Sequence, residues 1–121
     1  EAAAQREIDE AVAAVVAERE VEIELSGGFG RPPKPLTPEA EKLFELVREA
    51  GADLGQDIAW KPSGGVCDGN NIAACGVPVV DTMGVRGGKI HSMEEFLITE
   101  SLDERAALST LTVLRLMRGA A

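Results

Sequence analysis

Apolar residues recur at helical spacing near the start of the chain and then alternate strictly with charged ones. Ile8, Val12 and Val16 lie four positions apart among good helix formers, which predicts an amphipathic helix over residues 2–18. In residues 20–25 (EVEIEL), charged and apolar side chains alternate. This change of period predicts a strand with one buried face and a row of glutamates on the other.

Glycine and proline dominate residues 27–35, so no regular element is expected there and a domain boundary is placed in this segment. Thr37 and Pro38 then form the N-cap and first-turn proline of a helix that is predicted to end at Gly51. Residues 58–60 (IAW) are predicted to form a short strand.

The rest of the chain continues this alternation of helices and strands. Residues 67–75 are predicted to be helical, and residues 77–80 (VPVV) are apolar enough for a strand in a sheet covered on both faces. After a glycine-rich loop at residues 84–88, residues 101–104 (SLDE) predict a capping box that opens a helix through residue 116. The order of elements predicts a layered α/β fold.

Composition narrows the possible functions. Hydrophobic residues make up 45% and charged residues 27% of the 121 positions, which is typical of a globular protein with one modest core. No apolar run reaches the ~20 residues that a membrane helix requires. The net charge of −9 and the pI near 4.6 disfavour nucleic-acid binding, because they repel phosphate.

The two cysteines indicate the redox compartment of the chain, and its first residue indicates a longer parent protein. Cys67 and Cys75 are eight positions apart in a predicted helix, so their Cα atoms would be ~12 Å apart. A disulfide requires roughly 4.4–6.8 Å, so reduced thiols and a cytoplasmic location are expected. The chain opens at Glu1, inside a helical pattern and without an initiating Met. We therefore expect a C-terminal piece of a longer protein.

His91, the only histidine, is the first candidate for chemistry. The glycine-rich approach to it and the nearby Glu94 and Glu95 are compatible with a metal site. However, zinc takes three or four protein ligands, and the chain has no H-x-x-x-H or C-x-x-C spacing. Residue chemistry alone therefore leaves open whether His91 is a ligand or a structural loop histidine.

Three other features are open to two interpretations. Gly64 and Gly65, at the entry to a predicted helix, could bind an anion, but a tight turn that requires glycine is the more common reason for such a pair. Arg31, in a stiff loop, could bind a carboxylate in bidentate fashion or simply be solvated. Cys67 is expected to be a packed thiol rather than a nucleophile, because the chain has no second histidine to activate it.

Residues 63–74 (SGGVCDGNNIAA), residues 76–81 (GVPVVD) and residues 84–95 (GVRGGKIHSMEE) together resemble a signature of the zinc-dependent aminoacylase and carboxypeptidase family. That family includes glutamate carboxypeptidase, acetylornithine deacetylase and succinyl-diaminopimelate desuccinylase. The resemblance is strong over about residues 60–118. It is weaker over residues 1–50.

The resemblance implies a fold and a domain organisation. Residues 1–30 would be the last helix and strand of a smaller α/β lid or dimerisation domain, and residues 31–36 a linker. Residues 37–121 would be the C-terminal part of a layered α/β zinc-exopeptidase catalytic domain. The chain is expected to form a homo-oligomer and to be located in the cytoplasm.

The resemblance also implies an activity and site residues. His91 would be a ligand of one of two zinc ions, Arg31 would hold a substrate carboxylate, and Gly64 and Gly65 would lie along the substrate. The implied reaction cleaves amide bonds of small acidic N-acyl amino acids or C-terminal residues of peptides. The remaining ligands and the general base would come from the rest of the parent chain, so this segment alone is expected to be inactive.

One departure and two alternatives accompany this hypothesis. Val66 and Cys67 stand where many members of the family carry Thr or Ser, so a hydroxyl contact to substrate is lost. The second hypothesis is a non-catalytic binding or assembly module of the same ancestry. The third, an unrelated phosphate binder that uses Gly64 and Gly65, lacks the spacing of the known phosphate-binding loops.

Overall fold

The first of two compact units contains one helix. The computed structural model describes residues 1–119, and the chain divides into the units Glu1–Pro33 and Lys34–Ala121. Helix α1 spans Ala2–Arg19, in agreement with the predicted helix, and Glu20 ends it in a left-handed conformation with φ of 46°.

The strand predicted over residues 20–25 is wrong. Val21, Ile23 and Leu25 are 42%, 41% and 54% exposed, and none of residues 20–25 is part of a sheet. Alternation gives a segment two different faces, but a strand forms only where a neighbour accepts and donates its backbone hydrogen bonds. The part of the chain that the structure describes provides no such neighbour here.

Helix α2 (Pro38–Asp53) begins as predicted. Thr37 is its N-cap, and the hydroxyl oxygen accepts a hydrogen bond from the backbone N–H of Ala40 at 3.2 Å. The helix continues two residues beyond the predicted end at Gly51. That glycine is buried, and a Cβ atom there would overlap the side chain of Ile58.

Helices α3 (Asp68–Ala74) and α4 (Ser101–Met117) confirm the two remaining helices to within about a residue. The capping box predicted at residues 101–104 is wrong. The N-cap is Glu100 rather than Ser101, and it makes no side-chain capping bond. The Ser101 hydroxyl bonds instead to Ile98 and Arg86, so it does not cap the helix.

The core of the second unit lies between α2 and α4. Val47 and Ala50 of α2 pack with Leu108 of α4, and all three are at most 4% exposed. Partly buried apolar residues surround this cluster: Ile58, Val80, Met83 and Leu111. The residues between the helices therefore contribute side chains to the core without forming strands of their own.

Strands form at only one place among residues 1–119. Strand β1 (Gly87–Gly88) pairs antiparallel with β2 (Phe96–Leu97), with Gly87 opposite Leu97. The strands predicted at residues 58–60 and 77–80 are wrong, and Val77 is 51% exposed rather than covered on both faces. They lack a partner strand, as residues 20–25 do.

The second unit is thus a small, helix-rich mixed domain with a two-stranded sheet. This is compatible with the α/β class. Within the described residues, none of the helices has both the length and the apolar character that crossing a bilayer would require.

Candidate functional site

His91 lies in the turn that joins β1 to β2. Both His91 and Lys89 have left-handed backbone conformations, with φ of 64° and 55°. Residues other than glycine adopt this conformation uncommonly, although histidine is one of the types enriched in it. The hairpin therefore holds its histidine in a conformation that most sequences would avoid.

Short-range hydrogen bonds fix the backbone of this turn. The Ser92 hydroxyl donates to the carbonyl of Lys89 at 2.7 Å and accepts from the N–H of Glu94 at 3.2 Å. The N–H of His91 donates to a carboxylate oxygen of Glu95 at 3.2 Å. Together these bonds hold the backbone at His91 on both sides.

The His91 side chain is exposed, and its imidazole makes no hydrogen bond to another described residue. Glu94 and Glu95 follow closely, as noted from the sequence, but Glu94 pairs with Lys89 at 2.5 Å and Glu95 contacts the backbone of His91. Over residues 1–119, no three His, Cys, Asp or Glu side chains are grouped so that they could hold a metal ion. The described chain thus offers one accessible imidazole and no complete site.

Gly64 and Gly65 lie in an exposed loop before α3. Neither has a positive φ, so the left-handed turn that would explain two glycines is not present. The N–H of Gly65 donates to the hydroxyl of Ser63 at 3.1 Å, and a Cβ on Gly64 would meet nothing within 4 Å. No hydrogen bond or ion pair between described residues links this loop to the hairpin of His91.

Arg31 belongs to the first unit and is exposed. Its predicted role, like that of Gly64 and Gly65, concerns a substrate and stays a prediction.

The carboxylate of Asp81, beside the start of α3, is a polar centre that no sequence pattern identifies. This carboxylate accepts a hydrogen bond from the Cys67 thiol at 3.0 Å and pairs with Lys34. The hydrogen bond from Cys67, followed by that from Lys34, lowers the pKa of Asp81 below its usual value of 3.8. Cys67 is half-buried and Cys75 is exposed, and both thiols are free.

Gly69 and Asn70 explain why α3 begins beside this carboxylate. A Cβ on Gly69 would lie 2.9 Å from Asp81 Oδ2 and 3.2 Å from Cys67 Sγ, so only glycine fits without displacement. The Asn70 side chain accepts a hydrogen bond from the N–H of Cys67 at 3.1 Å, which caps the helix from within. No local pattern identifies the Lys34–Asp81 pair, because 47 positions separate the two residues.

A cavity of about 360 Å³ lies elsewhere in the second unit. It is lined by residues 54–58 after α2, by Arg86, and by Glu104 and Arg105 of α4. None of the site residues predicted from the sequence lines it. The cavity therefore does not support the site that the sequence predicts.

Comparison of the chain with family models, with curated proteins and with solved structures finds no match.

Proposed function

We propose that this chain is the C-terminal part of a dinuclear zinc amidohydrolase that acts on N-acyl amino acids or on the C-terminal residues of peptides. The left-handed, exposed position of His91 at a braced turn is the observation that carries the proposal. A left-handed non-glycine residue costs of order 1–2 kcal/mol, and such strain concentrates at ligand clamps and active sites. The motif resemblance over residues 63–95 is the reason to choose zinc and amide hydrolysis.

The described residues supply only one part of such a site. A zinc ion needs three or four protein ligands, and His91 is the only one proposed here, so the chain by itself does not fit a complete zinc centre. The remaining ligands and the proton-transferring group belong, under this proposal, to the rest of the parent chain. Gly64 and Gly65 would line the substrate, and Arg31 would hold its carboxylate. A reducing cytoplasm suits the two free thiols.

A non-catalytic assembly module of the same ancestry is the second candidate. It is favoured by the apolar side chains that the chain leaves exposed, among them Ile23, Leu25 and Val113 at 41–54%. Exposed apolar surface of this kind is typical of protein–protein contact. This candidate predicts that the complete gene product binds no zinc and cleaves no amide.

His91→Ala and His91→Gly in the complete gene product test the metal role. Both remove the imidazole, so zinc affinity should fall at least about 100-fold in each, since even indirect partners of a metal ligand contribute 10- to 100-fold. In zinc-free buffer, where bound metal does not contribute to stability, His91→Gly should unfold no more readily than the unchanged protein, because glycine accepts a positive φ without strain. Zinc content by mass spectrometry and unfolding by circular dichroism would separate the loss of zinc from any loss of stability.

Two outcomes would contradict the proposal. If His91→Ala keeps both zinc and amidase activity, His91 is not a ligand. If the unchanged gene product contains no zinc and is inactive, the assembly module becomes the better interpretation.

Arg31→Ala tests the carboxylate role. Loss of a charge-assisted bidentate contact should raise KM for acidic substrates roughly 10- to 100-fold and leave esters of the same substrates unaffected. Arg31→Lys is the matched control, because it keeps the charge but not the fork of donors. Steady-state kinetics with unchanged KM for Arg31→Ala would remove the residue from the site.

A further inference from the structure

Two residues that line the cavity of about 360 Å³ each carry a buried polar atom without a hydrogen-bond partner. Over residues 1–119, these atoms are Oε1 of Gln56 and Nε of Arg105, and both residues belong to the cavity lining. Folded proteins pair nearly all such atoms, because a buried donor or acceptor that is left unpaired costs free energy. The two atoms are of opposite kinds, since Oε1 accepts and Nε–H donates. The cavity therefore combines an unused acceptor with an unused donor.

Gln56 and Arg105 are held side by side in this lining. The Gln56 Nε2 donates to the backbone carbonyl of Glu104 at 2.8 Å, and the same peptide group joins Glu104 to Arg105. Because Nε2 is the donor in this bond, the amide oxygen is the end of the side chain that is left without a partner. The two unpaired atoms thus belong to residues that adjoin at one place.

The charge of Arg105 is not neutralised by any described residue. The other arginine of the cavity, Arg86, donates through Nε and one terminal nitrogen to the two carboxylate oxygens of Glu104, both at 3.0 Å. The Arg105 side chain is half-buried and forms no ion pair or hydrogen bond with residues 1–119. A guanidinium presents a planar fork of donors that fits a carboxylate, so Arg105 is suited to bind one from a ligand.

The rest of the cavity lining supplies an opposite charge and an apolar surface. Asp57 is exposed, and its carboxylate forms no ion pair with another described residue. Together with Oε1 of Gln56, it offers acceptors to a positively charged N–H group. Leu54 and Ile58 contribute apolar side chains. The volume lies at the lower end of the range for small-molecule sites, which is roughly 300–1,000 Å³.

We propose that this cavity binds a free α-amino acid with an apolar side chain. The guanidinium of Arg105 binds its carboxylate, and Oε1 of Gln56 and the carboxylate of Asp57 accept from its ammonium group. The side chain of the ligand packs against Leu54 and Ile58. The unpaired atoms are hidden from water, but both belong to the ends of side chains that rotate about single bonds, so a ligand engages them by turning those ends.

A zwitterion matches these groups better than a simple anion does. Acetate or phosphate would pair with Arg105 but would leave Oε1 of Gln56 unpaired and would be repelled by Asp57. The site includes neither His91 nor any other residue predicted from the sequence, so the proposal does not rest on zinc or on amide hydrolysis.

Titration of the 121-residue chain with L-leucine, followed by amide chemical shifts, tests the binding. The amide signals of residues 54–58 and of Arg105 should shift saturably with a dissociation constant of about 1 mM, as expected for a small ligand with few contacts. Two analogues separate the charges, because L-leucinamide lacks the carboxylate and N-acetyl-L-leucine lacks the ammonium group. Each should bind about 10-fold more weakly or worse, since each leaves a charged hydrogen bond unmade.

Variants of the cavity residues test the same contacts from the protein side. Arg105→Gln should weaken L-leucine binding about 10-fold or more without lowering the melting temperature, because it removes a donor that the folded chain does not pair. Arg118→Gln is the matched control, since it makes the same change in charge directly after α4 and outside the cavity lining. Asp57→Asn should weaken L-leucine binding about 3-fold, a small effect because the residue is exposed, and should not weaken N-acetyl-L-leucine. Asp103→Asn on α4 is its control.

Three results would overturn the proposal: no saturable shift up to about 20 mM L-leucine, which is ~20 times the expected dissociation constant; equal affinities for L-leucine and L-leucinamide; or unchanged affinity in Arg105→Gln. Tighter binding of N-acetyl-L-leucine than of L-leucine would also overturn the choice of a free amino acid. The analogues probe the unchanged chain, so they decide the matter even if a variant does not fold. His91→Ala should bind L-leucine as the unchanged chain does, so loss of the zinc proposal would leave this one standing.

Discussion

Asp81 shows how a single carboxylate holds together parts of the chain that no local pattern connects. Its partners are a thiol 14 positions earlier and an ammonium 47 positions earlier, one on either side of α2 along the sequence. The side chain is 30% exposed, so water weakens but does not cancel these interactions. Both partners favour the ionised form, which is why the pKa of Asp81 is lowered.

This lowered pKa makes the stability of the second unit depend on pH. The stabilisation is fully present above the unfolded pKa of about 3.9 and is lost as the pH falls through the lower folded value. Asp81→Asn should therefore reduce the free energy of unfolding at pH 7 by about 1 kcal/mol and flatten its dependence below pH 4. Trp60, the single tryptophan, packs against Phe44 with the ring centroids 5.3 Å apart and the ring planes tilted by 58°. Its fluorescence therefore reports the unfolding of this unit in urea titrations.

The control for this prediction is Asp57→Asn, because Asp57 is an exposed carboxylate in the same unit. It should leave both the midpoint and the acid dependence nearly unchanged. Equal losses in the two variants would assign the effect to net charge rather than to the contacts of Asp81.

At the scale of elements, the helices could be predicted and the strands could not. Caps, first-turn prolines and helical spacing are local signals, so α1 and α2 begin where the sequence indicates. A strand depends on a partner that the pattern of residues 20–25 or 77–80 does not specify. Strand β1 forms instead within residues 84–88, for which the sequence predicts a glycine-rich loop, and it pairs with β2 at Phe96–Leu97.

Site residues follow the same division between local and distant signals. The position of His91 in a loop that follows the glycines of residues 84–88 could be predicted, because it depends on neighbouring residues. The anchoring of its hairpin by Ser101 and Glu104 could not, because those partners are 15 and 18 positions from Arg86.

Gly87 explains why β1 and β2 can pair closely. A Cβ on Gly87 would overlap the carbonyl oxygen of Phe96 in the opposite strand, so any side chain forces β1 and β2 apart. Gly87→Ala should abolish the hairpin amide protection and destabilise the unit by about 1–3 kcal/mol. Gly84→Ala, three positions earlier, should be nearly neutral, since its Cβ would meet nothing within 4 Å. Equal protection of the Ile98 amide in both variants would contradict this account.

At the scale of the whole molecule, the second unit buries little of its apolar surface. On α4 the buried positions Leu108 and Thr112 face α2, whereas Leu102, Val113 and Met117 are 53%, 53% and 79% exposed. Residues 106–114 (AALSTLTVL) contain no charge, so nothing on this part of α4 favours water strongly. Exposed apolar side chains along an uncharged stretch of helix are typical of a surface that packs against another chain.

We therefore expect the isolated 121-residue chain to self-associate reversibly. The net charge of −9 opposes association through repulsion, and salt screens repulsion over about 8 Å at physiological ionic strength. The mean mass in sedimentation experiments should consequently rise with protein concentration. It should rise further when salt is increased from 20 mM to 500 mM, because the association constant should increase ~10-fold.

Val113→Glu should weaken this association, because it places a charge on the uncharged face of α4. Lys42→Gln makes the same one-unit change in net charge on the charged face of α2 and should have a smaller effect. A monomer at every concentration and salt level would mean that the exposed apolar side chains are tolerated individually, as scattered surface residues are, and would remove the main support for the assembly-module alternative.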